Sequence, residues 1–566
     1  MLPKHERVAT ILLGIGLLVG LALRIFHLDH QTITHPEFYV PGIPLPDHVN
    51  NPSARFTVNE VLAHALFFDK HPPGYYLLML GWNRTFGIDL FTMRMSSVLF
   101  GMLALIAIAF HVRTAKSARA PALAVWLLAL HGFHLTWSQQ LRPWVLIGTL
   151  AIITSMLLVS ITRNPRTSVV LAYAVLAAFG LWSDYYFWPI FAAQVCWALL
   201  HEADRSALPA AIQAQLLAMI LATPLLIYFW LHLTEQPSHI GSSDWSHIVT
   251  MLQFGHLLQR QRLAAILSDF APAFHWATAG LGAICLAAGI RPWPADGDTS
   301  DGQPASRGRG RLRIMAATSL LTAGATWLAF RPLVADRKVF LAATAAPFVL
   351  LIAAWFLLHT WPRASHAIMR LRPFCALRSA LLDPVITIPF VAFTGLMLIG
   401  QFAPILAPYA LVAFTPFIVV IAARGIDRFG RFRIPVTAIV LALFAFSAYQ
   451  YATSPISNRD YQALARLLQP RLRTGDTVLL ERIWYTAPMH YYLPPIHYRV
   501  IPPPAFNDAA AAVLPDTLWI ITFGQDDALI DDRISAALAR IPGYARIDIL
   551  TTPTGAAARA ARTARR

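Results

Sequence analysis

The sequence predicts an all-α polytopic membrane protein of about 13 transmembrane helices, with a small α/β domain at its C-terminal end. Three observations predict it. Of 566 residues, 57% are hydrophobic and 13% charged, where soluble domains carry roughly 25% charged residues. The apolar residues gather in runs of about 20, the length that crosses a hydrocarbon core of roughly 30 Å. Beyond residue 453 those runs stop, and short helix and strand patterns replace them.

The same figures exclude other classes. The net charge is +16, but Lys and Arg are dispersed in short loops between apolar runs. They read as topology signals and not as nucleic-acid contacts. Of the three cysteines, Cys196 and Cys285 sit inside apolar runs and Cys375 in a basic loop. No disulfide framework or metal cluster can be built from them.

The first apolar run, 8–26, follows Lys4 and Arg7. It is too long for the apolar region of a removed signal peptide, so it reads as a retained span. Further spans are expected near 92–112, 120–137, 144–162, 168–186, 187–200, 208–230, 272–290, 314–331, 339–361, 384–403, 409–423 and 434–451. With the N-terminus in the cytoplasm, the inner segments carry 21 Lys and Arg and the short outer loops six. That asymmetry predicts a cytoplasmic N-terminus in the cell inner membrane, and an odd number of spans then exports the C-terminal end.

Two wet regions follow on the outer face. The first loop, 28–91, holds two segments expected as interfacial helices, beginning at Thr57 and Gly74. The second, 454–566, reads as an extracytoplasmic α/β domain, with strands near 478–481, 518–523 and 545–550, helices near 460–472 and 528–539, and a disordered Ala/Arg tail. Residues 1–453 form the transmembrane domain, interrupted by a flexible inner loop at 296–313.

The candidate chemistry lies on the outer side. Glu37, in His35-Pro36-Glu37, stands soon after the first span, where a carboxylate can face a lipid-linked substrate. Six histidines lie between 27 and 71, without the helical spacing of a zinc pair. Arg142, in Ser138-Gln139-Gln140-Leu141-Arg142-Pro143-Trp144, offers a planar fork suited to phosphate, although a guanidinium at an interface also snorkels to headgroups. Asp184 ends the fifth span on the same side, and Arg337 with Lys338 adds two cations at a later outer turn. His35, His71, Tyr75, Tyr76, Gln139, Gln140, Asp184 and Tyr185 are expected to line the substrate pocket.

These features, in this order, resemble the GT-C superfamily of polyprenyl-phosphate-sugar-dependent glycosyltransferases, which contains protein O-mannosyltransferases and the aminoarabinose transferases of lipid A. The most specific part is the first loop, where His71-Pro72-Pro73-Gly74-Tyr75-Tyr76-Leu77-Leu78 is followed by Trp82, Phe86-Gly87 and Arg94-Met95-Ser96-Ser97-Val98-Leu99-Phe100-Gly101. The segment from Ser138 to Trp144 is similar to a second family element. The family's Asp-Glu pair is Pro36-Glu37 here, and Gln140 replaces a common acid. Its later basic residue corresponds to Arg337 or to the 404–416 stretch, where Tyr409 stands in place of Arg.

The resemblance implies transfer of a monosaccharide from a polyprenyl-phosphate donor to a lipid, glycan or protein acceptor. Glu37 would be the general base or orient the nucleophile, and Arg142, Arg337 and Lys338 would hold the donor phosphate. No cofactor is required by the sequence, and metal dependence stays open. The rivals are a transporter or flippase, which gives no role to the outer regions, and a non-catalytic envelope-polysaccharide assembly protein, in which Glu37 would be replaceable.

Overall fold

The computed structural model of the chain describes residues 4–29, 31–43, 57–67, 71–113, 119–200, 208–231, 246–258, 267–290, 383–400, 407–453, 461–472, 477–480, 486–493, 499–501, 517–523, 544–551 and 558–565. The helices in chain order are α1 (Lys4–Ile25), α2 (Val58–Phe67), α3 (Gly74–Phe86), α4 (Leu90–Arg113), α5 (Arg119–Ala129), α6 (Gly132–Ser138), α7 (Trp144–Arg163), α8 (Thr167–Ser183), α9 (Phe187–Leu200), α10 (Leu208–Leu231), α11 (Ser246–Leu252), α12 (Ala271–Ile290), α13 (Pro384–Gly400), α14 (Thr415–Asp427), α15 (Arg433–Ala452), α16 (Tyr461–Leu468) and α17 (Thr486–Tyr492). The described residues also form the strands β1 (Thr477–Leu480), β2 (Arg499–Ile501), β3 (Thr517–Phe523), β4 (Tyr544–Thr551) and β5 (Ala558–Arg565).

Among the described residues, six helical stretches are long and apolar enough to cross a membrane: Glu6–Ile25, Leu90–Phe110, Trp144–Arg163, Ala271–Ile290, Tyr409–Asp427 and Gly430–Ala452. Shorter apolar helices occupy Thr167–Ser183, Phe187–Ala198, Pro209–Leu225 and Pro384–Met397. The protein is therefore a mostly helical, multi-pass membrane protein. The spans expected at 314–331 and 339–361, the inner loop at 296–313 and the helix expected at 528–539 lie outside the described residues.

The expected single span at 120–137 is two helices, α5 and α6, bent by 62°. Its break at Leu130-His131 has a local cause: His131 is extended, and its ring accepts the His134 N–H at the start of α6.

Packing divides the chain into two compact units. The first comprises Met1–Ile25, Lys70–Tyr75 and Ser97–Gln450, and the second Phe26–Asp69, Tyr76–Ser96 and Tyr451–Arg566. In the first, α1 packs on α5, α8 on α7 and α10, α9 on α13, and α14 on α5 and α12. Buried polar side chains join the helices. Gln194 on α9 donates to Thr154 and Ser155 of α7, at 2.7 and 3.1 Å, and accepts the Tyr173 hydroxyl of α8 at 2.9 Å. In an apolar surround such bonds leave no polar group stranded.

The second unit has its own core. Tyr461, Leu464, Ala465 and Leu468 recur at helical spacing on α16 and bury one face against Val478, Met489, Leu493 and Trp519. The sheet order is β2-β1-β3-β5-β4, with β1 parallel to both β2 and β3. The tail expected to lack order is instead a strand. Ala558–Arg565 runs antiparallel between β3 and β4, where main-chain bonds hold a segment whose composition offers little to a core.

In the first loop, α2 begins with Thr57 and Glu60 bonded reciprocally: the Glu60 carboxylate accepts the Thr57 N–H at 3.1 Å, and Thr57 Oγ1 accepts the Glu60 N–H at 3.2 Å. This is the capping-box spacing, and it satisfies donors that the first helical turn leaves over.

Candidate functional site

The candidate residues fall into two groups, one in each unit. In the second unit, His35 and Glu37 belong to a 3-10 helix, His35–Tyr39, that begins after Thr34. Glu37 reaches back three residues, and its Oε2 accepts the Thr34 N–H at 2.7 Å and hydroxyl at 3.1 Å. The Arg94 guanidinium closes on the same carboxylate, with Nε 3.0 Å from Oε1 and Nη2 3.0 Å from Oε2. Both side chains are 0% exposed. Arg94 also donates to the carbonyls of Leu28, Gln31 and Thr32 at 2.8, 2.9 and 3.2 Å, so all five of its N–H groups are used.

The Glu37 carboxylate thus accepts four hydrogen bonds, about the number its lone pairs provide. That arrangement suits a group that holds the loop in shape better than one that takes a proton. Nearby, the Tyr492 hydroxyl accepts the Ile33 N–H at 2.7 Å. Burial pushes the Tyr492 phenol well above its ordinary value, and Tyr491 is raised for the same reason. Tyr76, expected in the pocket, is buried in this unit too.

In the first unit, Arg142, Asp184, His71 and Tyr185 come together. Arg142 lies in the turn between α6 and α7, and its N–H bonds the Gln140 carbonyl at 2.9 Å. The Ser97 hydroxyl donates to the same carbonyl at 2.6 Å, which fixes the turn to α4. Asp184 terminates α8 in extended conformation and accepts the Tyr186 N–H at 2.9 Å. Its carboxylate is buried on the side of His71 and Arg142. The His71 and Tyr185 rings lie 6.3 Å apart.

Aromatic rings surround this charge. The Arg142 guanidinium lies 5.6 Å from the centre of the Trp144 ring, which stacks on Tyr409 at 4.0 Å and 19°. Trp137 and Tyr186 meet the same pair edge-on. Tyr409, at the position where the family resemblance leads one to look for Arg, senses both Asp184 and Arg142. Tyr75 is buried at the start of α3. The glycine before it is required: a Cβ on Gly74 would stand 2.7 Å from the Trp182 carbonyl oxygen.

Arg337 and Lys338 lie outside the described residues. Among the described residues, no group of three His, Cys, Asp or Glu side chains could hold a metal ion. In the sequence Arg94 stands only as part of a motif, with no local sign of its role. The signal was the Thr34-x-x-Glu37 spacing, the signature of a carboxylate turned back on its own helix start, which leaves one charge to be met by a distant cation.

No protein-family model matches the chain, and no curated protein matches it in sequence. Among solved structures it is similar to ArnT from Cupriavidus metallidurans bound to undecaprenyl phosphate, with 10% identity over 99% of this chain and 98% of that one and a TM-score of 0.46. It is also similar to the archaeal oligosaccharyltransferase AglB from Archaeoglobus fulgidus in complex with an inhibitory peptide and a dolichol-phosphate. There the identity is 11%, the coverage 90% of this chain and 69% of that one, and the TM-score 0.46.

Proposed function

We propose that the chain is a membrane glycosyltransferase that moves a monosaccharide from a polyprenyl-phosphate donor to a lipid, glycan or protein acceptor at the outer face of the cytoplasmic membrane. About thirteen spans, a cytoplasmic N-terminus and an exported 454–566 domain complete this reading. One observation carries it. A buried guanidinium, Arg142, stands at the end of apolar helices within reach of the Asp184 charge and against an aromatic face. Arg in such a place is expensive unless it serves an anion, and its fork fits phosphate.

In the reaction an acceptor oxygen attacks the anomeric carbon, and the bond from that carbon to the donor phosphate oxygen breaks. Charge builds on the departing polyprenyl phosphate, where Arg142, with Arg337 and Lys338, would stabilise it. Asp184 would accept a hydrogen bond from a sugar hydroxyl. Glu37, engaged by Arg94 and Thr34, supports the orienting role over the basic one. An acceptor that is already an anion needs no base, and a hydroxyl acceptor would pass its proton to the departing polyprenyl phosphate.

The test is a deletion strain. Mass analysis of its envelope lipids and proteins should show one acceptor lighter by a single sugar and a polyprenyl-phosphate sugar accumulating. An unchanged envelope with no accumulated donor would overturn the proposal.

A further inference from the structure

Arg24 is a cation in the last turn of α1, 0% exposed, and among the described residues no carboxylate joins it. Its bonds all go to the bent span and to its own helix. Nη1 donates to the Gly20 carbonyl at 2.9 Å. Nη2 reaches the Leu128 carbonyl, in the last turn of α5, at 3.2 Å and His134 Nδ1 on α6 at 2.9 Å. One guanidinium thus grips both halves of the break. Because Arg has no lone pair, His134 must accept through Nδ1, which fixes its tautomer.

The grip continues toward the candidate site. Gln139, directly after α6, donates to the carbonyls of Leu23 and Arg24 at 3.2 and 3.1 Å. Gly101 on α4 leaves the room: a Cβ there would lie 2.9 Å from Arg24 Nε and 2.5 Å from Ser138 Oγ. From other sides, the His131 ring meets the Phe254 carbonyl at 2.8 Å, and the Gly132 N–H meets Ser447 Oγ at 3.1 Å. Phe254, Gly255 and His256 follow one another with φ of 56°, 81° and 64°. For non-glycine residues such backbone is kept only where surrounding contacts enforce it.

We propose that Arg24 is the positioning residue of the donor site: it ties α5 to α6 across the break and so fixes the turn that carries Arg142. The proposal rests on the reading of Arg142 as a donor-phosphate contact. Arg24 touches no substrate and acts through the half-helix. A guanidinium is suited to the task because Nη2 carries two N–H groups, one for the Leu128 carbonyl and one for the His134 ring, while Nη1 holds the Gly20 carbonyl, which a lysine ammonium at the same depth does less well.

The experiment is a double-mutant cycle on the full chain in detergent, with a short-chain polyprenyl phosphate as binding probe. Arg142→Ala is expected to weaken binding by tenfold or more and Arg24→Met by about tenfold, the scale of one lost charge-assisted contact. Arg24→Met combined with Arg142→Ala should then bind no worse than Arg142→Ala alone. Independent, multiplying losses overturn the positioning role while leaving the proposed function intact. An Arg142→Ala variant that binds like wild type overturns both. If Arg24→Met fails to fold, Arg24→Lys and Gly101→Ala replace it in the cycle. Each is expected to raise the donor KM and lower kcat together, several-fold in kcat/KM, because Arg142 also meets the charge that builds on the departing phosphate, and an unchanged donor kcat/KM in both would overturn the proposal.

Discussion

Glu37 and Arg94 form a fully buried, two-pronged ion pair across 57 residues of sequence, with two contacts of 3.0 Å. Such a pair contributes little beyond what an apolar replacement would, but halving it strands a charge. Glu37→Gln and Arg94→Gln should each lower stability by about 3–5 kcal/mol. The double variant should lose clearly less than their sum, as read by thermal unfolding in detergent. Fully additive losses would show that the two side chains act independently.

The pair also separates two roles for Glu37. If it orients the loop, Arg94→Lys, which keeps charge but loses the fork, should reduce transfer about as much as Glu37→Gln does. If it is the base, Arg94→Lys should stay active while Glu37→Gln falls by roughly 10²–10⁴-fold.

Arg142 carries the donor reading. Arg142→Lys should weaken donor use about tenfold, because the charge stays and the bidentate geometry goes, and Arg142→Ala should lose about 10²-fold or more. Kinetics with a short-chain polyprenyl-phosphate sugar, normalised to folded protein, decide it. A lysine variant indistinguishable from wild type would mean that the side chain only snorkels to headgroups.

Topology is open to a direct check. A phosphatase reporter fused after Ser454 should be active and one placed within 296–313 inactive, since 21 cations lie on the inferred inner side and six in the short outer loops. The reverse pattern would move the candidate site to the wrong face.

Tyr492 gives the second unit an alkaline limit. Its folded phenol is raised above the ordinary value near 10 by burial, so the folded state holds its proton more tightly than the unfolded chain does. The stability this contributes is complete below about pH 10 and is lost as pH rises through the folded value. Unfolding followed between pH 8 and 12 should show the decline, and Tyr492→Phe should flatten it. An unaltered slope in that variant would assign the alkaline sensitivity elsewhere.

Much of the architecture was legible from local rules. Apolar runs located most helices, and the pattern at 460–472 located the helix that buries Tyr461, Leu464, Ala465 and Leu468. Apolar spacing made the helix beginning at Thr57 legible, and the Thr57–Glu60 capping box emerged from the structure. The break in the 120–137 run was not legible, because hydropathy sums an apolar stretch without sensing a single extended histidine within it. Arg142 and Asp184 were recognisable as misplaced charges at span ends. The stack of Trp144 on Tyr409 joins positions far apart in sequence, and no local pattern encodes it. Arg94 was hidden for the same reason, since its carboxylate partner belongs to another segment of the first loop.

The Gln194 crossing has a consequence for biogenesis. Phe187–Leu200 is a short helix that is apolar nearly all round, so lipid would accept it in almost any rotation about its own axis. Gln194 removes that freedom, because only one azimuth delivers its amide to Thr154, Ser155 and Tyr173 together. A leucine there should enter the bilayer more readily yet leave the helix without a stop for its rotation. The glutamine therefore works as an indexing pin that makes the final seating unique.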